Sequence, residues 1–376
     1  MLKNSLLRGI ILLIVGGLII AIARVSFLNQ HNPAPIVEGP GVTKATKLSD
    51  YFSGLKDSPG DTNVYIMEGD KKGGTMLVMG GTHPTEPATL VAAVMLVENV
   101  TVNTGRLIVI PRANESGYSC TEPGAGHPPR FHIKTDWGTR WFRFGSRHSN
   151  PIHQWPDPEL YIHTASGQRL SAVEIRNLNR CHPGRPDGFL TEKIAYGIRQ
   201  LVEKEKVDVF IDLHEAPPEK PLVNAICAHQ RALELATLAA INLEMSGINI
   251  RLEVSPVGLH GFSHREIGDY TDALAVLLEV ANASQGAFRG RTDETLVVSG
   301  KDEFYIAATK LGRLTVGFDE KGHPIEERCG RHLSTILELS KAFSEFYPDR
   351  PIELENVPTF DLVMEYGVGH YLLPVK

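Results

Sequence analysis

TMLVMGGTHPTEP, residues 75–87, is the stretch on which the reading of this chain turns. Its apolar opening, Met76-Leu77-Val78-Met79, is short and flanked by glycines, as a buried strand is. Gly80-Gly81 ends the strand, and Thr82 to Pro87 make the turn into an apolar-periodic helix over 88–100, with Pro87 suited to its first turn. His83 and Glu86 therefore fall at the C-terminal end of a strand, where open α/β sheets bind ligands. An imidazole and a carboxylate three residues apart on one tight turn can both reach a single Zn2+. His-x-x-Glu recurs by chance, so its meaning rests on what the other strand ends carry.

Outward from this turn, strands are expected over 63–67, 74–79, 106–110, 207–213, 221–228, 248–253 and 274–280, with helices over 190–204, 231–245 and 332–346. Strands alternating with helices predict an α/β fold, a sheet with helices on both faces. Residues 115–176 differ, being rich in Gly, Pro, His and aromatics (Trp137, Trp141, Phe142, Phe144, Trp155, Tyr161) with little helical period. So long a stretch inside a compact domain reads as a functional insertion, its aromatics lining a cleft or forming a small core of their own. No internal repeat is visible.

The N-terminal residues 1–28 stand apart. Lys3 and Arg8 precede an uncharged run of Ile, Leu, Val, Gly and Ala over 9–23, followed by Arg24 and Val25-Ser26-Phe27-Leu28. This is an export pattern: a signal anchor if Val25 to Leu28 extend the apolar run, or a signal peptide cleaved after Ala21-Ile22-Ala23. The positive flank keeps the N-terminus in the cytoplasm and the domain outside it. Residues 29–50, with Pro, Gly and polar side chains, read as a linker from membrane to domain. The domain follows over 51–347, and 348–376 form a C-terminal extension, a cap or an extra strand pair.

With 376 residues, 42% apolar and 22% charged, the chain can bury a sizeable core. A net charge of −6 with no basic stripe argues against nucleic acid as a partner. Four cysteines, Cys120, Cys181, Cys227 and Cys329, allow one or two disulfides in an exported chain, with three full pairings open, or four free thiols.

Three further strand ends carry chemistry: Asn177-Leu178-Asn179-Arg180-Cys181-His182-Pro183-Gly184, then Asp212-Leu213-His214, then Glu279. GGTHPTEPA, NLNRCHPG, DLHEA and LLEVANASQG, in that order over roughly 63–346, resemble the zinc carboxypeptidase superfamily, and within it the succinylglutamate desuccinylase/aspartoacylase family most closely.

The resemblance implies a mixed sheet flanked by helices and one Zn2+ per chain held by His83, Glu86 and His214, with a fourth position left for water. It implies Glu279 as the base that takes a proton from that water and passes it to the leaving amine. Arg180 with Asn179 would clamp a substrate carboxylate. Asp212, two residues before His214 and on the same side of the strand, would orient an imidazole from behind. The family also uses an arginine to stabilise the oxyanion; Arg176, Arg130 and Arg112 are available, with Arg176 preferred. Arg265 is a candidate for a second carboxylate contact, in a loop with His260 and His264. Three positions depart from the family pattern: Pro84 after the histidine, Asn177 for the usual Asp, and His182 for an aromatic.

The expected activity is zinc-dependent hydrolysis of an amide bond in a substrate with a free carboxylate, outside the membrane. A deacylase of N-acyl amino acids and a carboxypeptidase on peptides, cell-wall peptides among them, use the same atoms. A non-catalytic binding module of the same fold would need a lost ligand or base, and none is missing. A serine hydrolase is not supported, since no Gly-x-Ser-x-Gly elbow occurs.

Overall fold

The computed structural model describes residues 2–29, 32–122 and 127–375; residues 30–31 of the expected linker and 123–126 of the expected insertion lie outside these. The chain divides into two units, Met1–Ala34 and Pro35–Lys376. The first holds helix α1 (Leu2–Asn29). Within it Asn4–Ser26, 23 residues, is apolar and long enough to cross a bilayer by length and composition. At about 1.5 Å per residue it exceeds a hydrocarbon core of about 30 Å.

In the second unit the strands are β1 (Lys44–Lys47), β2 (Asn63–Glu68), β3 (Lys71–Met79), β4 (Thr101–Ile110), β5 (Arg130–Thr135), β6 (Gly138–Arg143), β7 (Tyr161–Ile162), β8 (Arg169–Leu170), β9 (Val209–Ala216), β10 (Ala225–Ala228), β11 (Arg251–Val254), β12 (Leu274–Ala281) and β13 (Glu353–Glu355). The helices are α2 (Pro87–Asn99), α3 (Leu190–Lys204), α4 (Leu233–Met245), α5 (Ser263–Tyr270), α6 (Glu294–Ser299), α7 (Glu303–Lys310), α8 (Ile325–Phe346) and α9 (Phe360–Tyr366).

The central sheet runs β1-β2-β4-β3-β9-β12-β10-β11, with β13 added on β4. It is mixed. β4, β3, β9 and β12 are mutually parallel, whereas β2 and β10 run antiparallel to their neighbours on either side of that block. All eight residues of β9 are buried, as expected of a central parallel strand covered on both faces. On one face Leu77, Met79, Ile108, Ile110, Phe210 and Ala275 form a core with Ile194, Ile198 and Leu201 of α3 and Ile267 of α5. Strand alternation turns Met76, Val78, Leu107, Val109 and Ile211 to the other face, where α2, α4 and α8 pack. Helix α2 is buried from Pro87 to Glu98, so its apolar residues form no stripe but cover it all round.

Several boundaries differ from the expected ones. Lys44–Lys47, expected as linker, pairs antiparallel with β2, because an edge strand needs backbone partners rather than apolar side chains. Residues 115–176 hold two small hairpins, β5–β6 and β7–β8, separate from the central sheet. The closing helix α8 begins at Ile325, well before the expected 332. The C-terminal residues supply β13, antiparallel to β4, and α9, packed on α8. All four cysteines are unpaired.

One buried ion pair ties distant segments together. Glu98 Oε1 accepts from Val37 N at 3.0 Å and Arg140 Nη2 at 2.6 Å, and Oε2 accepts from Arg140 Nη1 and Leu373 N, both at 2.7 Å. Arg140 Nη2 also donates to Pro35 O at 2.7 Å. Replacing Glu98 by Ala strands a buried guanidinium and should destabilise the domain by about 3–5 kcal/mol. Urea unfolding checks this; a loss below about 1 kcal/mol would mean that Arg140 finds other partners.

Candidate active site

The turn after β3 is shaped by two glycines. Gly81 has φ +66°, and a Cβ there would lie 2.5 Å from Tyr118 Oη. A Cβ on Gly80 would meet Thr89 O at 2.4 Å, so both positions exclude side chains. The chain thereby folds tightly from β3 into α2, with His83 on the turn and Glu86 at the helix N-cap. Parallel pairing sets Met79 of β3 opposite Asp212 of β9, and His214 of β9 opposite Glu279 of β12. The C-terminal ends of three adjacent strands thus deliver the site.

His83, Glu86 and His214 are buried and offer ligand atoms that all lie within 4.8 Å of one another. His83 Nδ1 is 2.7 Å from Glu86 Oε1, and His214 Nδ1 is 3.0 Å from Glu86 Oε2 and 3.2 Å from His83 Nδ1. Each imidazole is fixed by its far nitrogen: His83 Nε2 lies 2.9 Å from Asn177 Oδ1, and His214 Nε2 2.9 Å from Asp212 Oδ2. Asp212 is itself held by Thr82 Oγ1, at 2.8 Å, and by Ser263 Oγ. Both Nδ1 atoms therefore point inward with a carboxylate between them. Two imidazoles and a carboxylate so braced could hold a divalent metal ion.

The electrostatics fit this arrangement. Burial pushes His83 down to about 4, with Arg147 adding to it and Glu86 opposing. Burial also disfavours charge on His214, but Asp212 and Glu86 together overcome it and hold that imidazole well above its ordinary value. Against its own burial, the two histidines hold the Glu86 carboxyl below the usual range. Glu86 Oε2 also accepts from Glu215 N at 3.1 Å, and the Glu215 carboxylate accepts from Ala88 N at 3.0 Å and Arg328 Nη1 at 2.7 Å. The first turn of α2, the end of β9 and helix α8 are thus locked around the cluster.

The cluster opens into a cavity of about 590 Å³ lined also by Glu279, Asn179, Arg180, Arg147 and Phe262. Glu279 is half-buried, and its Oε2 is sealed from solvent with no hydrogen-bond partner among the described residues. Burial pushes it up to about 8; His214 opposes this and Glu86 reinforces it. The Arg180 guanidinium lies 4.0 Å over the Phe262 ring, with Nη1 donating to Asn179 O at 2.7 Å.

The expected arginines fall elsewhere. Arg176 is clamped by Asp157 at 2.8 Å and Ser149 O at 3.0 Å and lines no part of this cavity. Arg112 pairs with Glu115, and Arg130 stacks over Trp141. Arg265 is buried on α5, held by Asp269 of the same helix and by Gln230, and lines no part of this cavity. Arg147, not among the expected residues, does line the cavity, with Nη1 3.4 Å from Glu86 Oε1. It is brought there by Gly145 N, which donates to Pro84 O at 3.1 Å, a long-range contact with no local sequence mark.

No family model matches the chain. A 65-residue stretch is 42% identical to an N-alpha-acetyl-L-2,4-diaminobutyric acid deacetylase of Halomonas elongata, covering 17% of this chain and 18% of that protein. Similar solved structures include an aspartoacylase family protein from Mesorhizobium loti (18% identity, 59% of this chain, 56% of that chain, TM-score 0.36). A succinylglutamate desuccinylase from a Silicibacter species (21%, 60%, 54%, TM-score 0.37) and a metallo-carboxypeptidase from Burkholderia cenocepacia (10%, 82%, 66%, TM-score 0.45) are also similar. The chain spans little more than half the length of the first two structures.

An ion entering this cluster has to displace the proton on His214. Because that group's folded pKa lies above its unfolded value near 6.5, its contribution to the stability of the ion-free chain is present below about pH 6.5 and is lost as pH rises through the folded value. Zn2+ affinity should accordingly rise about tenfold per pH unit until His214 deprotonates, with proton release on binding. Calorimetry in buffers of different ionisation enthalpy checks this, and an affinity independent of pH would show that His214 is not a ligand.

Proposed function

We propose that the protein is a zinc-dependent hydrolase of amide bonds, with His83, Glu86 and His214 holding one Zn2+ per chain. The observation that carries the reading is the partnerless Oε2 of Glu279 in the same cavity as this two-imidazole, one-carboxylate cluster. The ion, when bound, supplies a Lewis acid that lowers the pKa of a water to about 7.

The chain's own residues do the rest. In its carboxylate form, which a cation held at the cluster would favour, Glu279 accepts a proton from the attacking water and delivers it to the leaving amine. Arg180, its plane fixed by Phe262 and by Asn179 O, binds a carboxylate on the leaving side of the substrate through its guanidinium fork. Asn179 shares that carboxylate through its amide N–H, its Oδ1 being taken by Ser263 N at 2.9 Å. Arg147, rather than Arg176, faces the oxygen on which negative charge develops. Asp212 and Asn177 keep the two imidazoles in the tautomer that turns Nδ1 inward.

The substrate is an N-acyl amino acid or a peptide with a free C-terminal carboxylate. The apolar Asn4–Ser26 stretch supports a signal anchor, or a cleaved export signal, with the hydrolase domain outside the cytoplasm.

Glu279→Gln should retain stoichiometric zinc while kcat falls by about 10²–10⁴-fold on a panel of N-acyl amino acids and short peptides. Undiminished turnover would remove Glu279 from the chemistry. Arg147→Ala should lower kcat by about 10²–10³-fold with little change in KM; a change confined to KM would make Arg147 a binding group only.

A further inference from the structure

Among the described residues the central sheet ends at β1 on one side and β11 on the other, and the two edges differ in charge pattern. β1, Lys44-Ala45-Thr46-Lys47, exposes a lysine at each end. Antiparallel pairing with a second copy of itself would set Lys44 against the partner's Lys47, so this edge repels its own kind. β11 is Arg251-Leu252-Glu253-Val254, preceded by Ile250. About Leu252, these residues run apolar, cationic, apolar, anionic, apolar. An antiparallel copy centred on Leu252 therefore matches at every position: Arg251 faces the partner's Glu253, and Val254 the partner's Ile250.

The backbone of β11 is in phase with that pairing. Arg251 N donates to Asn224 O at 2.7 Å and Ser255 N to Ala228 O at 2.8 Å, both toward β10. In a parallel ladder such inward groups alternate with outward ones, so the N–H and C=O of Leu252 and Val254 face the open edge. Two copies meeting at Leu252 exchange both backbone bonds between the two leucines. Arg251 and the partner's Glu253 then fall at a non-hydrogen-bonded pair, where opposed side chains approach most closely. Arg251 is held ready for this, with Nη1 donating to Pro221 O at 2.7 Å and Nη2 to Glu253 Oε1 at 2.8 Å.

The helix beside this edge carries apolar residues on both sides. α4 packs on β11 and buries Leu235, Ala236, Ala239 and Leu243. Its outer stripe nevertheless holds Ile241 and Met245, one turn apart and 49% and 82% exposed. On a helix that faces water such a stripe is ordinarily polar. We propose that β11 is a self-association edge: two copies of the chain join by antiparallel pairing centred on Leu252, extending the central sheet across a two-fold axis. That axis sets the two α4 helices on one face of the joined sheet and turns their outer stripes toward one another. A lipid surface would also accept Ile241 and Met245, but hydrocarbon offers nothing to the outward N–H groups of Leu252 and Val254.

The test is sedimentation equilibrium of the full chain in detergent, with amide hydrogen exchange of the same chain in lipid nanodiscs. Two chains per particle are expected. Glu253→Arg should weaken the dimer by at least about tenfold, since it sets like charges against each other twice over. Combining it with Arg251→Glu should restore the dimer, because the pattern about Leu252 is again complementary. Leu252→Pro should give a monomer with an unchanged far-UV spectrum, because the N–H it removes faces away from β10. The Leu252 and Val254 amides should exchange at least about tenfold more slowly in the dimer than in the monomer. A wild type that stays monomeric overturns the proposal. So does a dimer indifferent to both Glu253→Arg and Leu252→Pro, which would give the association to α1 or to another surface. Slow exchange of both amides in a nanodisc holding one chain would overturn it in favour of lipid.

Discussion

The register between β9 and β12 is the constraint on which the site depends. Pairing sets Glu279 beside His214, and side chains alternate along a strand with period two. A slip of one residue would turn Glu279 to the opposite face and take its carboxyl out of the cavity. The register is held by apolar contacts on both faces and by the buried length of β9, so the core fixes the distance between chemical groups as well as the stability of the domain. The same logic runs through β3, whose pairing with β9 sets Thr82 within reach of Asp212.

Around that frame, charge is buried in layers. Glu86 sits among two imidazoles and a backbone N–H, Asp212 stands behind one imidazole, and Glu215 joins α2 to Arg328 of α8. An isolated carboxylate in such surroundings would be neutralised; donors hold Glu86 and Asp212 below the usual range, whereas burial raises Glu215 in spite of Arg328. Glu279 differs in that its Oε2 has no donor, so burial acts on it with less opposition. The contrast of Glu279 with Glu86 and Asp212 comes from hydrogen bonding and neighbouring charge, since burial acts on all three in the same direction.

That His83, Glu86 and His214 come together was legible because each lies at or just past the end of a strongly apolar strand, while the roles expected of them, of Asp212 and of Glu279 came from the resemblance of their motifs. Among the expected arginines, Arg180 lines the cavity, but the others do not. Arg147 lies in the 115–176 segment, whose path is set by contacts such as Gly145 N to Pro84 O rather than by any local pattern. By composition it cannot be told from Arg176, which the fold uses to hold Asp157. Arg265 was misplaced for a related reason: α5 is short, and a charged residue on a buried helix face is satisfied by Asp269 four residues on. The edge strand Lys44–Lys47 and the first turns of α8 were missed because their partners are backbone groups and buried ions, which leave no apolar period.

The Glu98–Arg140 pair gathers Pro35, Val37 and Leu373 onto one buried carboxylate and its guanidinium, so the first and last segments of the domain meet. During synthesis these segments emerge far apart in time. A nascent chain has Val37 and Arg140 to offer Glu98 long before Leu373 has left the ribosome, and until then one side of the pair stays wet. Closure of the domain therefore waits for Leu373 and follows the folding of the segments made before it. A chain lacking Leu373 carries an open, hydrated node at that place.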